Sequence, residues 1–108
     1  MNNITSTTLE INSLSFSNGD DEIEKLIGTK MNVDEDQKEL LDRQSECELK
    51  SNDLSIVDNI VIAKVKTILE PHNYEVSTDR IFDACEGAWS IYATGPNGSV
   101  GFIGVTYQ

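Results

Sequence analysis

Between residues 89 and 107 the chain carries its clearest local signal. Trp89, Ile91 and Ala93 alternate with Ser90, Tyr92 and Thr94, the period of two that a strand with one buried face requires. Gly95-Pro96-Asn97-Gly98 follows, and Val100, Phe102, Ile103, Val105 and Tyr107 then make a second strand. The pattern predicts a β-hairpin with a four-residue turn. Gly101 and Gly104 inside the second strand mark a bulge or the close approach of another backbone. Trp89, on the apolar phase, is expected to anchor the core, with a partner-facing role as the alternative.

Upstream of the hairpin the period changes to that of a helix. Leu54, Val57, Val61, Val65 and Ile68 recur at helical spacing, which predicts a helix over 54–69. Ile56, Ile60, Ile62 and Leu69 extend its apolar surface nearly all round, so it is expected to be buried on most sides. Its β-branched content makes a strand the competing reading. Ser51-Asn52-Asp53 caps it and Pro71-His72-Asn73 ends it.

The remaining segments are shorter. Leu9 and Ile11 alternate with polar neighbours, and Leu14 and Phe16 continue one residue out of phase, as at a bulge or a loop. Ser17-Asn18-Gly19-Asp20 reads as a turn leading into a short helix over 20–27, with Gly28 as its cap. Asn32 or Asp34 opens a second helix that runs to about Lys50. Tyr74-Glu75-Val76 suggests a short strand. Ser77-Thr78-Asp79 reads as another cap, with Ile81, Phe82 and Cys85 on one side of a short helix closed by Gly87. The expected class is α+β, three to four short helices packed on a small antiparallel sheet that ends in the C-terminal hairpin. One domain is expected over 1–108: residues 1–8 disordered, 9–53 an acidic helical layer, and 54–108 the core helix plus the hairpin.

Charge divides the chain in the same way. Nineteen acidic and eight basic residues give a net charge of −11. Residues 1–53 hold 13 acids and 5 bases, whereas 54–108 hold 6 acids and 3 bases. That balance argues against direct nucleic-acid binding, which Lys and Arg drive. No apolar run reaches membrane-spanning length and no secretory leader is visible, so a cytoplasmic protein without a membrane partner is expected. Cys47 and Cys85 have no Cys or His at metal-ligand spacing and are expected as reduced thiols.

Catalytic apparatus is sparse. His72 is the single histidine, and a position after a helix end suits it through the helix dipole alone. Cys85 lies between Asp83 and Glu86, negative charge that raises a thiol pKa and opposes nucleophilic use. Gly95-Pro96-Asn97-Gly98 lacks the Lys and Ser/Thr of a phosphate loop. Asp34-Glu35-Asp36 lacks the Gly and spaced Glu of a calcium loop. No catalytic residue, metal site or cofactor is expected.

The residues that point outward are carboxylates. Glu35, Glu39, Asp42 and Glu46, at i, i+4, i+7 and i+11, fall on one side of the second helix. They form a stripe about 16 Å long at ~1.5 Å rise per residue. Glu35–Lys38, Lys38–Asp42, Glu39–Arg43 and Glu46–Lys50 stand at ion-pair spacing, so a solvated, salt-bridged helix face accounts for the same pattern. Asp20, Asp21 and Glu22 add charge in the first helix, and Leu49, Tyr92 and Tyr107 are candidate apolar anchors.

In size, acidity and lack of catalytic groups, the chain resembles phage- or plasmid-encoded inhibitors such as anti-CRISPR, anti-restriction and uracil-DNA glycosylase inhibitor proteins, and immunity proteins that neutralise nucleases. The resemblance implies a protein-binding inhibitor whose carboxylate face docks on a basic, nucleic-acid-binding surface of a partner protein. The alternative is an acidic, dimeric secretion-type chaperone or adaptor. The oligomeric state is open at this stage.

Overall fold

The computed structural model describes residues 8–17, 21–83 and 87–108. In chain order these form β1 (Thr8–Phe16), α1 (Asp21–Glu24), β2 (Lys30–Asn32), α2 (Glu35–Ser45), α3 (Ser51–Leu69), β3 (Glu75–Asp83), β4 (Ala88–Thr94) and β5 (Val100–Tyr107). The strands make one antiparallel sheet in the order β2-β1-β5-β4-β3. The class is α+β.

β4 and β5 pair as antiparallel neighbours, joined by residues 95–99 rather than by the four-residue turn expected. Trp89 pairs with Val105 and Ile91 with Ile103, and all four are buried. Trp89, at 2% exposure, is a core residue. β1 then pairs with β5, which joins the first and last strands and links Thr8 to Gln108 by two 2.9 Å backbone hydrogen bonds. The pairing slips between Ile11 and Ser13. This bulge is the physical source of the phase change between Leu9/Ile11 and Leu14/Phe16. Both glycines of β5 answer to this neighbour. A Cβ on Gly101 would lie 1.7 Å from the Ser15 carbonyl oxygen, and one on Gly104 would lie 2.2 Å from Ser13 Oγ.

α2 and α3 cover one face of the sheet. Val57, Val61, Val65 and Leu69 of α3 and Leu41 of α2 meet Leu9, Ile11, Trp89, Ile91, Ile103 and Val105 in a single core. α3 is buried along one side only. Ile56 is 48% exposed, so the expected burial on most sides does not hold. Asp34 precedes α2, and its backbone N–H donates to Gln37 Oε1 at 3.0 Å, half of a capping box. α2 stops at Ser45 rather than Lys50, because Cys47 takes a left-handed conformation, φ 60°. Gln44, buried, accepts a 2.8 Å hydrogen bond from the Gly87 N–H and ties α2 to the start of β4.

Three further expectations change. The helix expected over 20–27 is helical only over Asp21–Glu24; successive i→i+3 bonds then lead to Gly28 at φ 94°. β2, unforeseen, follows and pairs Met31 with Leu9. The short helix expected around Ile81 and Phe82 is strand β3, in which Ile81 pairs with Ile91 and Phe82 with Ser90. A helix of that length is marginal by itself, whereas the ladder to β4 satisfies its backbone. The Ser77-Thr78-Asp79 cluster does make a local turn, with the Asp79 N–H donating to Ser77 Oγ at 3.1 Å. That turn sits in a bulge, where four β3 residues between Val76 and Ile81 oppose Tyr92 alone. Of residues 1–8, read as disordered, 1–7 lie outside the described residues, whereas Thr8 is the buried first residue of β1, held there by its backbone pairing with Gln108.

Cys47 is disulfide-bonded, which overturns its reading as a free thiol. The sequence holds one other cysteine, Cys85, which lies outside the described residues.

Candidate functional site

α2 exposes Glu35 and Glu39, with Glu46 just past its end. Leu41 and Gln44 point into the core, and Glu35, Glu39 and Glu46 are exposed on the other side. Of the four α2 ion pairs that the spacing allows, one closes: Lys38 Nζ lies 3.0 Å from Asp42 Oδ2. Among the described residues, Glu35, Glu39 and Glu46 have no cationic group within 4.0 Å. The face thus carries one ion-paired carboxylate, Asp42, and three without an ion pair, Glu35, Glu39 and Glu46.

Asp42 differs from the other three. It also accepts a hydrogen bond from the Tyr107 hydroxyl of β5. That bond holds the Asp42 carboxyl below the usual aspartate range; burial opposes the shift and Lys38 reinforces it. Asp42 thus fastens α2 to the edge of the hairpin.

The remaining candidate residues do not converge on this face. Asp20 lies outside the described residues, Asp21 opens α1, and Glu22 is exposed and paired with Lys25 at 3.1 Å. Leu49 is half-buried against the core. Tyr107 shares the helix-covered side of the sheet with Ile103 and Val105. Tyr92 follows the opposite phase of β4, so its ring lies on the uncovered side, with the sheet between it and α2.

That uncovered side holds a group the sequence reading passed over. The Tyr92 and Phe102 rings meet at 5.5 Å between centroids, and Phe82 and Phe102 at 5.8 Å. The Arg80 guanidinium stacks over Tyr92 at 5.0 Å. Phe82 is 60% exposed, Val100 39% and Phe102 37%. Beside the rings lies a depression of about 270 Å³ lined by Ser13, Phe82, Ser90, Gly104 and Thr106, among others. The signal was available: Phe102 is out of phase with Ile103 and Val105, so β5 is apolar on both faces. A larger groove, about 820 Å³, runs between Lys66 and Glu70 on one side and β3 residues 75–79 on the other.

His72 is half-buried in the turn after α3. Among the described residues, no three of His, Cys, Asp and Glu are placed to hold a metal ion. No helix among them is long and apolar enough to cross a membrane. No family model matches the chain, and neither a curated protein nor a solved structure does so.

Proposed function

We propose that this protein is a small acidic inhibitor that binds another protein and makes or breaks no bond. The α2 carboxylate face docks on a basic surface of the partner, one shaped to receive nucleic acid, and blocks it by occupancy. One observation carries the reading: Glu35, Glu39 and Glu46 stand exposed and uncompensated in a chain of net charge −11. Glu35 and Glu39 stand about 6 Å apart along the helix axis, comparable to the ~6–7 Å between phosphates of a strand. Charge of this density accelerates encounter with a basic groove and makes it sensitive to salt. Tyr107, bonded to Asp42 at the border of the stripe, is the aromatic group placed to contribute contact area there.

A cytoplasmic site of action, expected from the composition, belongs to the same proposal. The disulfide at Cys47 pulls against it, since such bonds persist mainly in oxidising compartments.

The test replaces Glu35, Glu39 and Glu46 by Gln, leaving Asp42 to hold Tyr107. Helix propensity is nearly unchanged. A partner captured by the wild-type chain at low salt should associate with the variant at least about tenfold more slowly, with a flatter dependence on ionic strength. A control with Glu24, Glu70, Glu75 and Asp79 changed to Gln, or Asn for Asp79, should keep the wild-type rate more closely. Equal rates for the two variants, or an acidic partner, would sink the proposal.

A further inference from the structure

We infer that Asn97, in the turn between β4 and β5, is a self-modification site, at which the side-chain amide is lost through a succinimide formed with the backbone nitrogen of Gly98. Pro96, Asn97 and Gly98 are all exposed. Gly98 stands at φ 75° with nothing within 4 Å of the place a Cβ would take, so a ring has room to close and water reaches it. The ends of the turn are fixed. Gly95 lies against the Tyr74 ring, where a Cβ would come within 2.4 Å, and Val100 pairs with Thr94. Pro96 has its φ locked by its own ring, so the rotation that brings the reacting atoms together falls to Asn97 and Gly98.

The attacking nitrogen singles this position out. The described residues hold six asparagines, Asn12, Asn32, Asn52, Asn59, Asn73 and Asn97, and all are exposed. Exposure of the amide therefore does not discriminate among them. The first five precede residues whose Cβ crowds the next backbone nitrogen and narrows its rotation. Gly98 carries no Cβ. Asn73 is the closest comparison. It shares the left-handed conformation of Asn97, φ 65° and ψ 30° against φ 62° and ψ 25°. Its successor Tyr74 is 3% exposed and donates its N–H to the Leu69 carbonyl at 3.3 Å, so that nitrogen is engaged and held in the core. Asn18-Gly19, the other such pair in the sequence, lies outside the described residues.

The step balances with water alone. The Gly98 nitrogen gives its proton to hydroxide and attacks Asn97 Cγ. The new N–Cγ bond closes a five-membered ring, and the Cγ–Nδ2 bond breaks as the nitrogen takes a proton from water and leaves as ammonia. Tethering both groups in one chain supplies the proximity for this attack. Water then opens the ring at either carbonyl. One opening gives aspartate, and the other gives isoaspartate, which routes the main chain through the former side chain. Isoaspartate adds a backbone atom between the partners of the turn's two hydrogen bonds, Gly95 N–H to the Ser99 carbonyl at 2.7 Å and Ser99 N–H to the Pro96 carbonyl at 3.3 Å. Ser99 is fully buried, so the turn does not absorb that atom without loss. Either product adds a negative charge to a chain already at −11.

The test ages the full chain in mildly alkaline buffer, then reduces it and digests it after Lys and Arg in mild acid. Peptide 81–108 holds Asn97 as its single asparagine, and peptide 67–80 holds Asn73 as its own. Position 97 should convert to aspartate and isoaspartate at least about tenfold faster than position 73. Gly98→Ala should slow the conversion at least about tenfold. Alanine is strained at φ 75°, so Asn97→Gln is the second variant; its ring would be larger, and it should leave the peptide unconverted. Circular dichroism confirms that each variant is folded. Equal conversion at positions 97 and 73 overturns the proposal. So does conversion to aspartate without isoaspartate, which is hydrolysis with no ring, and so does either folded variant converting like the wild type. The site lies outside α2, so none of these outcomes bears on the inhibitor reading.

Discussion

At the scale of single residues, the Asp42–Tyr107 contact is the most informative. It joins a carboxylate of the outward stripe to the last strand, 65 positions away. Asp42 is about half exposed, so solvent limits what the contact contributes, to about 1 kcal/mol. Tyr107→Phe should lower stability by that amount at neutral pH. The carboxyl is depressed in the folded state, so its contribution is complete above the ordinary value of 3.8 and is lost as pH falls through the folded value below it. The difference in Tm between wild type and Tyr107→Phe should therefore shrink as melts are run from pH 7 to below 3.8. A difference that stays constant would show that the hydroxyl acts through packing alone.

At the scale of elements, the end of α2 is set by more than its periodicity. The chain turns at Cys47 with φ 60°, and Cys47 is disulfide-bonded. A disulfide typically restricts the unfolded chain by about 2–4 kcal/mol. Reduction should accordingly move the urea midpoint to lower denaturant, and Cys47→Ser should reproduce the shift in the oxidised protein. An unchanged midpoint on reduction would show that the core holds the fold unaided. The same region shows why β3 reads as a helix locally: its polar turn at Ser77–Asp79 has the chemistry of a cap, and its strand pairing is supplied by β4.

At the scale of the molecule, charge and apolar surface are segregated. The carboxylate stripe lies on the helix layer and the aromatic ridge on the far side of the sheet. With 19 acids against 8 bases, and two ion pairs closed among the described residues, self-repulsion outweighs local pairing. Salt should therefore stabilise the fold. Tm should rise between about 20 mM and about 0.5 M sodium chloride as the repulsion is screened. A fall in Tm would show that attractive pairs dominate the surface. Partner association, by contrast, should slow over the same range, which separates the two electrostatic effects.

What the sequence determined by itself is local. The alternation of Trp89, Ile91 and Ala93 encodes a strand, the Leu54–Ile68 periodicity encodes α3, and Asn32 and Asp34 narrow the start of α2 to two positions, because each signal lies within a few residues. The buried place of Trp89 follows from its phase, and the slip at Asn12 is visible as a break in alternation. Tertiary structure decided the rest. β1 sits between β2 and β5 because Leu9 and Ile11 find Tyr107 and Val105 nearly a hundred residues away, a pairing no local pattern states. Residues 75–83 are a strand because β4 supplies their hydrogen bonds. Tyr92 and Tyr107, both read as anchors beside the stripe, lie on opposite faces of one sheet. Side chains alternate with a period of two, but only the helices packed on the sheet decide which phase is covered.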